Sequence, residues 1–171
     1  FGTDKDQNRI TTTTYDRAGR VTATRDAAGL ETRFFYDALG RPAEAYDKLG
    51  HRTSHEYDEM GRLVRTSYAD GTTDAQGYDA EGRRTSSTDR GGRTTAYEYD
   101  GLGRLTKTTY ADGAVVENRY DPAGRLVSTK DARGGVTTYS YDAAGRRTKV
   151  RDALGHETTF TYDAAGNQET V

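Results

Sequence analysis

Carboxylates and guanidinium groups recur along this chain at a fixed spacing, and the spacing decides which chemistry suits them. Aspartate follows a tyrosine every 21 residues, at Asp16, Asp37, Asp58, Asp79, Asp100, Asp121, Asp142 and Asp163. Rows of aspartate beside glycine bind calcium in some β-rolls. A shared ion, however, needs several oxygens at about 2.3–2.6 Å. Aspartates on successive turns of this spacing stand two strands, roughly 10 Å, apart. One carboxylate per turn is too sparse, and turn capping is the better reading. Arginine stands four places after seven of these aspartates, at Arg20, Arg41, Arg62, Arg83, Arg104, Arg125 and Arg146. Such a row could track phosphates. Because each arginine leaves a turn that carries an aspartate, a lattice of Arg, carboxylate and Tyr contacts explains it better.

The three histidines give no stronger signal. His51 and His156 occupy the same slot of the period, and His55 replaces an aromatic. His51 and His55 could share a strand face, but no third ligand or helical His-Glu-x-x-His context accompanies them. No Gly-x-Ser-x-Gly elbow exists, and the serines fall at variable positions. We assign no catalytic, cofactor-binding or metal residue, and expect neither an enzyme nor a cofactor.

The elements that carry these residues follow from the period. The tyrosines are Tyr15, Tyr36, Tyr57, Tyr78, Tyr99, Tyr120, Tyr141 and Tyr162, with no insertion between any two. Glycine follows four places later, at Gly19, Gly40, Gly61, Gly82, Gly103, Gly124, Gly145 and Gly166; the eighth copy has Asn167 in the arginine slot. The array comprises a partial copy at 1–14, repeats starting at 15, 36, 57, 78, 99, 120 and 141, and a partial copy at 162–171. A second glycine row stands at Gly29, Gly50, Gly71, Gly92, Gly113, Gly134 and Gly155, with Asn8 in the matching slot of the first copy. Most of these close an Asp-x-x-Gly run; two read Tyr68-Ala-Asp-Gly71 and Tyr110-Ala-Asp-Gly113.

Each period thus holds two tight turns, in which Asp bonds the backbone two residues on and Gly accepts positive φ. Pro122, in the second position of Asp121-Pro-Ala-Gly124, has the fixed φ of a type I turn. Segments of about six residues between turns are rich in Thr, Val and Tyr, which favour strands. One period is therefore one β-hairpin, and eight hairpins give about sixteen strands with no room for a helix. Alternation puts Thr137, Tyr139 and Tyr141 on one face and Val136, Thr138 and Ser140 on the other. The same parity groups Thr32, Phe34 and Tyr36; Thr95, Tyr97 and Tyr99; and Thr158, Phe160 and Tyr162. An aliphatic row at Val21, Leu63, Leu105 and Leu126 is broken by Pro42, Arg84, Arg147 and Gln168.

The fold class expected is all-β, a large curled antiparallel sheet of tandem hairpins. Leu, Ile, Val and Phe number 21 of 171 residues, too few for an ordinary core. The net charge of −2 gives no electrostatic reason for a nucleic-acid partner. No apolar run approaches the roughly 20 residues that cross a bilayer as a helix. Cysteine is absent, which excludes disulfides and thiolate zinc sites without naming a compartment. Phe1 is not an initiator methionine, so the chain reads as an excised piece. Because so wide a sheet must curl and keep two open edges, it reads as a segment of a longer curved wall.

The consensus Tyr-Asp-x-x-Gly-Arg-Leu at a 21-residue period resembles the YD repeats of the Rhs family, over the whole chain. That family includes bacterial Rhs polymorphic toxins, wall-associated proteins, the C component of insecticidal toxin complexes, and teneurins. The resemblance implies a spiralling sheet closed into a hollow shell around a C-terminal toxin domain, delivered in bacterial competition or virulence. Partners implied are neighbouring repeats and plug domains of the same shell, the enclosed toxin and secretion-apparatus proteins, at a secreted or cell-surface location. The alternative is a surface adhesion module that binds carbohydrate through its aromatic rows. Asp121-Pro122-Ala123-Gly124 is similar to the family's self-cleavage core, but the register makes it an ordinary repeat.

Overall fold

The turns fix the architecture, because each binds its own backbone with a side chain. A computed structural model describes residues 11–170. At the first tyrosine turn, Asp16 Oδ1 accepts the amides of Ala18 at 2.9 Å and Arg20 at 3.0 Å. Gly19 N–H donates to Asp16 C=O at 3.1 Å, and Asp16 N–H to Arg20 C=O at 2.9 Å. This is a type I turn followed by a left-handed residue, a three-residue hairpin loop. All fifteen glycines of the two rows have φ between +75° and +89°. The Asn8 turn lies outside the described residues.

The described chain is all-β, with no helix. The strands are β1 (Thr12–Tyr15), β2 (Val21–Arg25), β3 (Glu31–Tyr36), β4 (Pro42–Tyr46), β5 (Arg52–Tyr57), β6 (Leu63–Ser67), β7 (Thr73–Tyr78) and β8 (Arg84–Thr88). They continue with β9 (Thr94–Tyr99), β10 (Leu105–Thr109), β11 (Val115–Tyr120), β12 (Leu126–Lys130), β13 (Val136–Tyr141) and β14 (Arg147–Arg151). The last are β15 (Glu157–Thr159), β16 (Thr161–Tyr162) and β17 (Gln168–Thr170). Seventeen segments appear where about sixteen were expected, because the strand entering the last tyrosine turn is interrupted at Phe160. Phe160 N–H donates to Thr148 C=O at 2.9 Å, while Thr158, grouped by parity with Phe160 and Tyr162, is exposed.

Two units divide the chain, one running to Gln76 with Thr88–Gly92, the other holding Gly77–Ser87 and Arg93 onward. In the first unit β1 to β7 pair antiparallel in chain order. In the second unit β9 to β15 do the same, and β16 pairs with β17. Within each unit hairpin follows hairpin, so the paired strands are neighbours in sequence and no crossover is needed.

Every tyrosine turn whose pairing is described carries a feature the alternation did not announce. In β3–β4, Phe35 faces Glu44 and Tyr36 faces Pro42, so Ala43 is an extra residue. The same one-residue shift recurs beside Tyr15, Tyr57, Tyr120 and Tyr141. A β-bulge of this kind re-aims the side chains beyond it. As a result the residue nine places after each tyrosine returns to the tyrosine face, in rows such as His55–Thr66–Asp74 and Tyr97–Thr108–Val116.

That face supplies what burial there is. Thr66, at 8%, and Thr108, at 9%, are the buried residues, and no apolar side chain among the described residues is buried. His55 Nδ1 lies 3.3 Å from Thr66 Oγ1, and Thr129 Oγ1 donates to Asn118 Oδ1 at 3.0 Å. The opposite face carries ion pairs, among them Lys107–Glu98 at 2.8 Å and Lys130–Glu117 at 3.4 Å. A sheet without a dry core must be held by its hydrogen bonds and by contacts along its edges.

Candidate functional site

The edge formed by the tyrosine turns concentrates the chain's directed polar contacts. Within one turn, the aspartate uses Oδ1 for backbone amides and Oδ2 for the arginine four places on. The Arg41–Asp37, Arg104–Asp100 and Arg146–Asp142 pairs measure 2.6, 2.6 and 2.7 Å. The carboxyls of Asp16, Asp37, Asp58, Asp121 and Asp142 are held below the usual aspartate range first by the arginine's backbone amide. For Asp100 the arginine side chain is the larger cause.

The guanidinium, fixed at its base by this carboxylate, lies over the tyrosine of the following repeat at Arg20, Arg41, Arg83, Arg104, Arg125 and Arg146. Arg20 stands 4.6 Å from the Tyr36 ring centre, Arg41 4.4 Å from Tyr57, and Arg83 5.2 Å from Tyr99. Arg104 over Tyr120, Arg125 over Tyr141 and Arg146 over Tyr162 stand at 4.7, 4.9 and 4.6 Å. A row of tyrosines suggests aromatic packed on aromatic, but the contact here is guanidinium on phenol. The rings stand on every second strand, too far apart to touch, and the intervening space holds a guanidinium.

The tyrosine hydroxyl closes the circuit. Tyr36, Tyr57, Tyr99, Tyr120, Tyr141 and Tyr162 donate to the carbonyls of Val21, Pro42, Arg84, Leu105, Leu126 and Arg147 at 2.7–3.0 Å. These acceptors occupy the slot read as a broken aliphatic row. The slot works through its backbone oxygen, which explains why Pro42, Arg84 and Arg147 are tolerated there. Arg83, Arg104 and Arg125 also donate through Nη1 to the next aspartate's carbonyl, as from Arg104 to Asp121 at 3.2 Å. In the eighth copy Asn167 donates to Asp163 Oδ2 at 2.8 Å and so keeps the turn without the forward reach.

The glycines have two reasons to be glycine here. Gly40 has φ +81°, and a Cβ on it would meet Arg20 Nη1 at 2.9 Å. The residue that stacks on one turn therefore also fills the space beneath its glycine.

The opposite edge is built differently. His51 and His156 each place Nδ1 against the aspartate four places before, Asp47 at 2.8 Å and Asp152 at 2.9 Å. His55 instead sits within β5 beside Thr66. No group of three or more metal-ligating side chains forms among the described residues. A contact absent from the sequence reading is Arg90, which lies 4.0 Å over the Tyr68 ring and donates to Asp70 Oδ2 at 2.6 Å and Thr72 Oγ1 at 3.0 Å. Thr72 first, then Arg90, pushes the Asp70 carboxyl down to about 2. The signal was the exchange of Tyr and Asp positions in Tyr68-Ala-Asp-Gly71, with an arginine in the next turn of that edge.

A model of the RHS Repeat family matches residues 15–52, 36–73, 78–115, 120–157 and 147–171. No curated protein sequence matches the chain. Among solved structures, the chain is similar to the Photorhabdus luminescens Tc holotoxin pore with a TccC3 mutation, at 15% identity and a TM-score of 0.48, over 92% of this chain and 12% of that one. It is also similar to TcdB2-TccC3, at 16% identity and a TM-score of 0.48, over 92% of this chain and 11% of that one. The chain thus spans about an eighth of the solved chains it resembles.

Proposed function

The chain belongs to the RHS repeat family, and from that premise we propose that it is a wall segment of a shell that encloses a toxin domain for delivery. The observation that supports this reading is the use to which the tyrosine edge puts its polar side chains. Carboxylate, guanidinium and phenol engage their own or an adjacent repeat, which suits a wall and leaves no nucleophile or acid–base pair poised for chemistry. The repeat-defining tyrosines, aspartates, glycines and arginines are on this reading structural, and the array runs through the partial copies at 1–14 and 162–171. The protein that carries it is secreted or displayed on a bacterial surface.

Limited proteolysis of the full-length protein tests the enclosure. The domain beyond the array should resist cleavage in the wild type and become cleavable when Arg83, Arg104 and Arg125 are all replaced by alanine. A wild-type domain cut as fast as the isolated domain would refute it.

One observation favours the adhesion reading in second place. Phe35 and Tyr46 meet edge-on at 5.7 Å in a hollow of about 560 Å³ that Glu31, Arg33, Glu44 and Lys48 also line. Reproducible glycan-array binding that disappears in Tyr46→Ala would support it.

A further inference from the structure

Two turns of the second edge share the unusual order Tyr-Ala-Asp-Gly, and they differ in what covers them. Over Tyr68-Ala-Asp-Gly71 lies the Arg90 guanidinium, stacked on the ring and paired with the Asp70 carboxylate. Arg90 is the second residue of the next turn on that edge, Asp89-Arg-Gly-Gly92. Over Tyr110-Ala-Asp-Gly113 the corresponding residue of the next turn, Asp131-Ala-Arg-Gly134, is Ala132. An alanine cannot reach back. The backbone of the two turns is otherwise the same: Gly71 and Gly113 have φ +84° and +83°, and their amides donate to the first residue's carbonyl at 3.0 and 2.9 Å.

The Tyr110 turn is therefore a socket of the Tyr68 kind with its ring and carboxylate turned to solvent. Tyr110 is 46% exposed. Asp112 accepts the Ala114 amide at 2.9 Å, and no cation pairs with it among the described residues. Arg133, one place past Ala132, is exposed and leaves Asp112 unpaired. The Tyr68 hydroxyl donates to Asp74 at 2.6 Å, whereas the matching residue behind Tyr110 is Val116, so that phenol is free as well.

We propose that the Tyr110–Asp112 turn binds an arginine side chain presented by a partner polypeptide that packs along this edge. The chemistry is the one Arg90 performs within the chain. A planar guanidinium lies on the phenol face and donates to the carboxylate, an arrangement an ammonium matches less well because it cannot stack and fork at once. The socket is open on the solvent side, so the guest must come from outside the repeat that forms it. A single contact of this kind is weak, and it acts as one anchor of a larger docked segment.

The test uses the whole chain, isotopically labelled, with acetyl-Gly-Arg-Gly-amide as probe and the citrulline peptide as its uncharged counterpart. Amide shifts at Asp112, Gly113 and Ala114 should saturate with the arginine peptide at concentrations on the order of millimolar. The Tyr68 turn, already covered by Arg90, should not respond. Binding by the citrulline peptide should be at least about tenfold weaker, since the charge pair is lost. Asp112→Asn should abolish the response. Ala132→Arg, which gives the turn its own Arg90, should block it while leaving the fold intact, because Ala132 is exposed. Equal response to citrulline, equal shifts at the Tyr68 turn, or full binding by Ala132→Arg would each overturn the proposal.

Discussion

The turn opened by Asp100 and the turn opened by Asp131 stand on opposite edges of the same hairpin sheet. Their backbones coincide. The closing bonds measure 3.0 and 2.9 Å in the first, 2.8 and 3.0 Å in the second, and the glycines have φ +80° and +86°. Their side chains do different work. Asp100 holds Arg104, which reaches Tyr120 and the Asp121 carbonyl in the next repeat. Asp131 is followed at the matching place by Gly135, which has nothing to extend. A three-residue loop thus needs only its aspartate and glycine, and joining one hairpin to the next needs the tyrosine and arginine besides. One edge carries this stitch at Arg20, Arg41, Arg83, Arg104, Arg125 and Arg146, and the other is joined at scattered points such as Arg90 on Asp70 and Lys48 on Asp26.

The shared backbone gives the largest expected effect, and it should not distinguish the edges. Gly103→Val and Gly113→Val each force a β-branched residue to positive φ, and each should lose on the order of 2–3 kcal/mol in denaturant unfolding. A loss at one edge alone would mean that the turns are not equivalent. The next effect should separate the edges. Arg104→Ala should lower the melting temperature several-fold more than His156→Ala, because the histidine serves only its own turn. A double-mutant cycle of Arg104→Ala with Tyr120→Ala should show coupling of about 0.5–1 kcal/mol. Absence of coupling would remove the stitch from the account.

Acid gives a third comparison. A carboxylate whose folded pKa is depressed stabilises the fold above its unfolded value, about 3.9, and that contribution is lost as pH falls through the folded value. Asp37, Asp121 and Asp142 should therefore release their turns below about pH 4. The turn of Asp70, held at about 2, should persist longest. Amide exchange followed from pH 5 to pH 2 would show the order; if the Asp70 turn opened first, the assignment of its partners would be wrong. The smallest effect belongs to Lys48→Ala, since one exposed ion pair contributes little. Its melting temperature should fall within the scatter of ordinary surface substitutions.

Much of this was legible in the sequence because period and turn chemistry are local. Asp-x-x-Gly at two places per period gives the loops, the loops give strand lengths, and strand lengths give chain-order pairing. The arginine row's attachment to its own aspartate and to tyrosine was readable from the same spacing. The bulge was not. Ala43 and its counterparts look like ordinary strand residues, and only pairing shows that they oppose nothing. Nor was the acceptor role of Val21, Pro42 and Leu105 visible, because a backbone carbonyl leaves no mark on side-chain identity. The Arg90 clamp lay between these cases: its parts could be read, but their meeting depended on the geometry of an edge whose turns vary.

Where arginine and tyrosine meet, the arginine reaches forward and the tyrosine is covered from behind, so the contact between repeats is head to tail. Contacts of that kind do not close on themselves and set no length. A whole 21-residue unit can be duplicated or removed, and every interior tyrosine still meets an arginine. An exchange out of step leaves a ring uncovered and a guanidinium reaching toward the wrong strand. The Arg-to-Tyr stitch therefore acts as a ratchet on the array's history, permitting change in whole periods and penalising anything between.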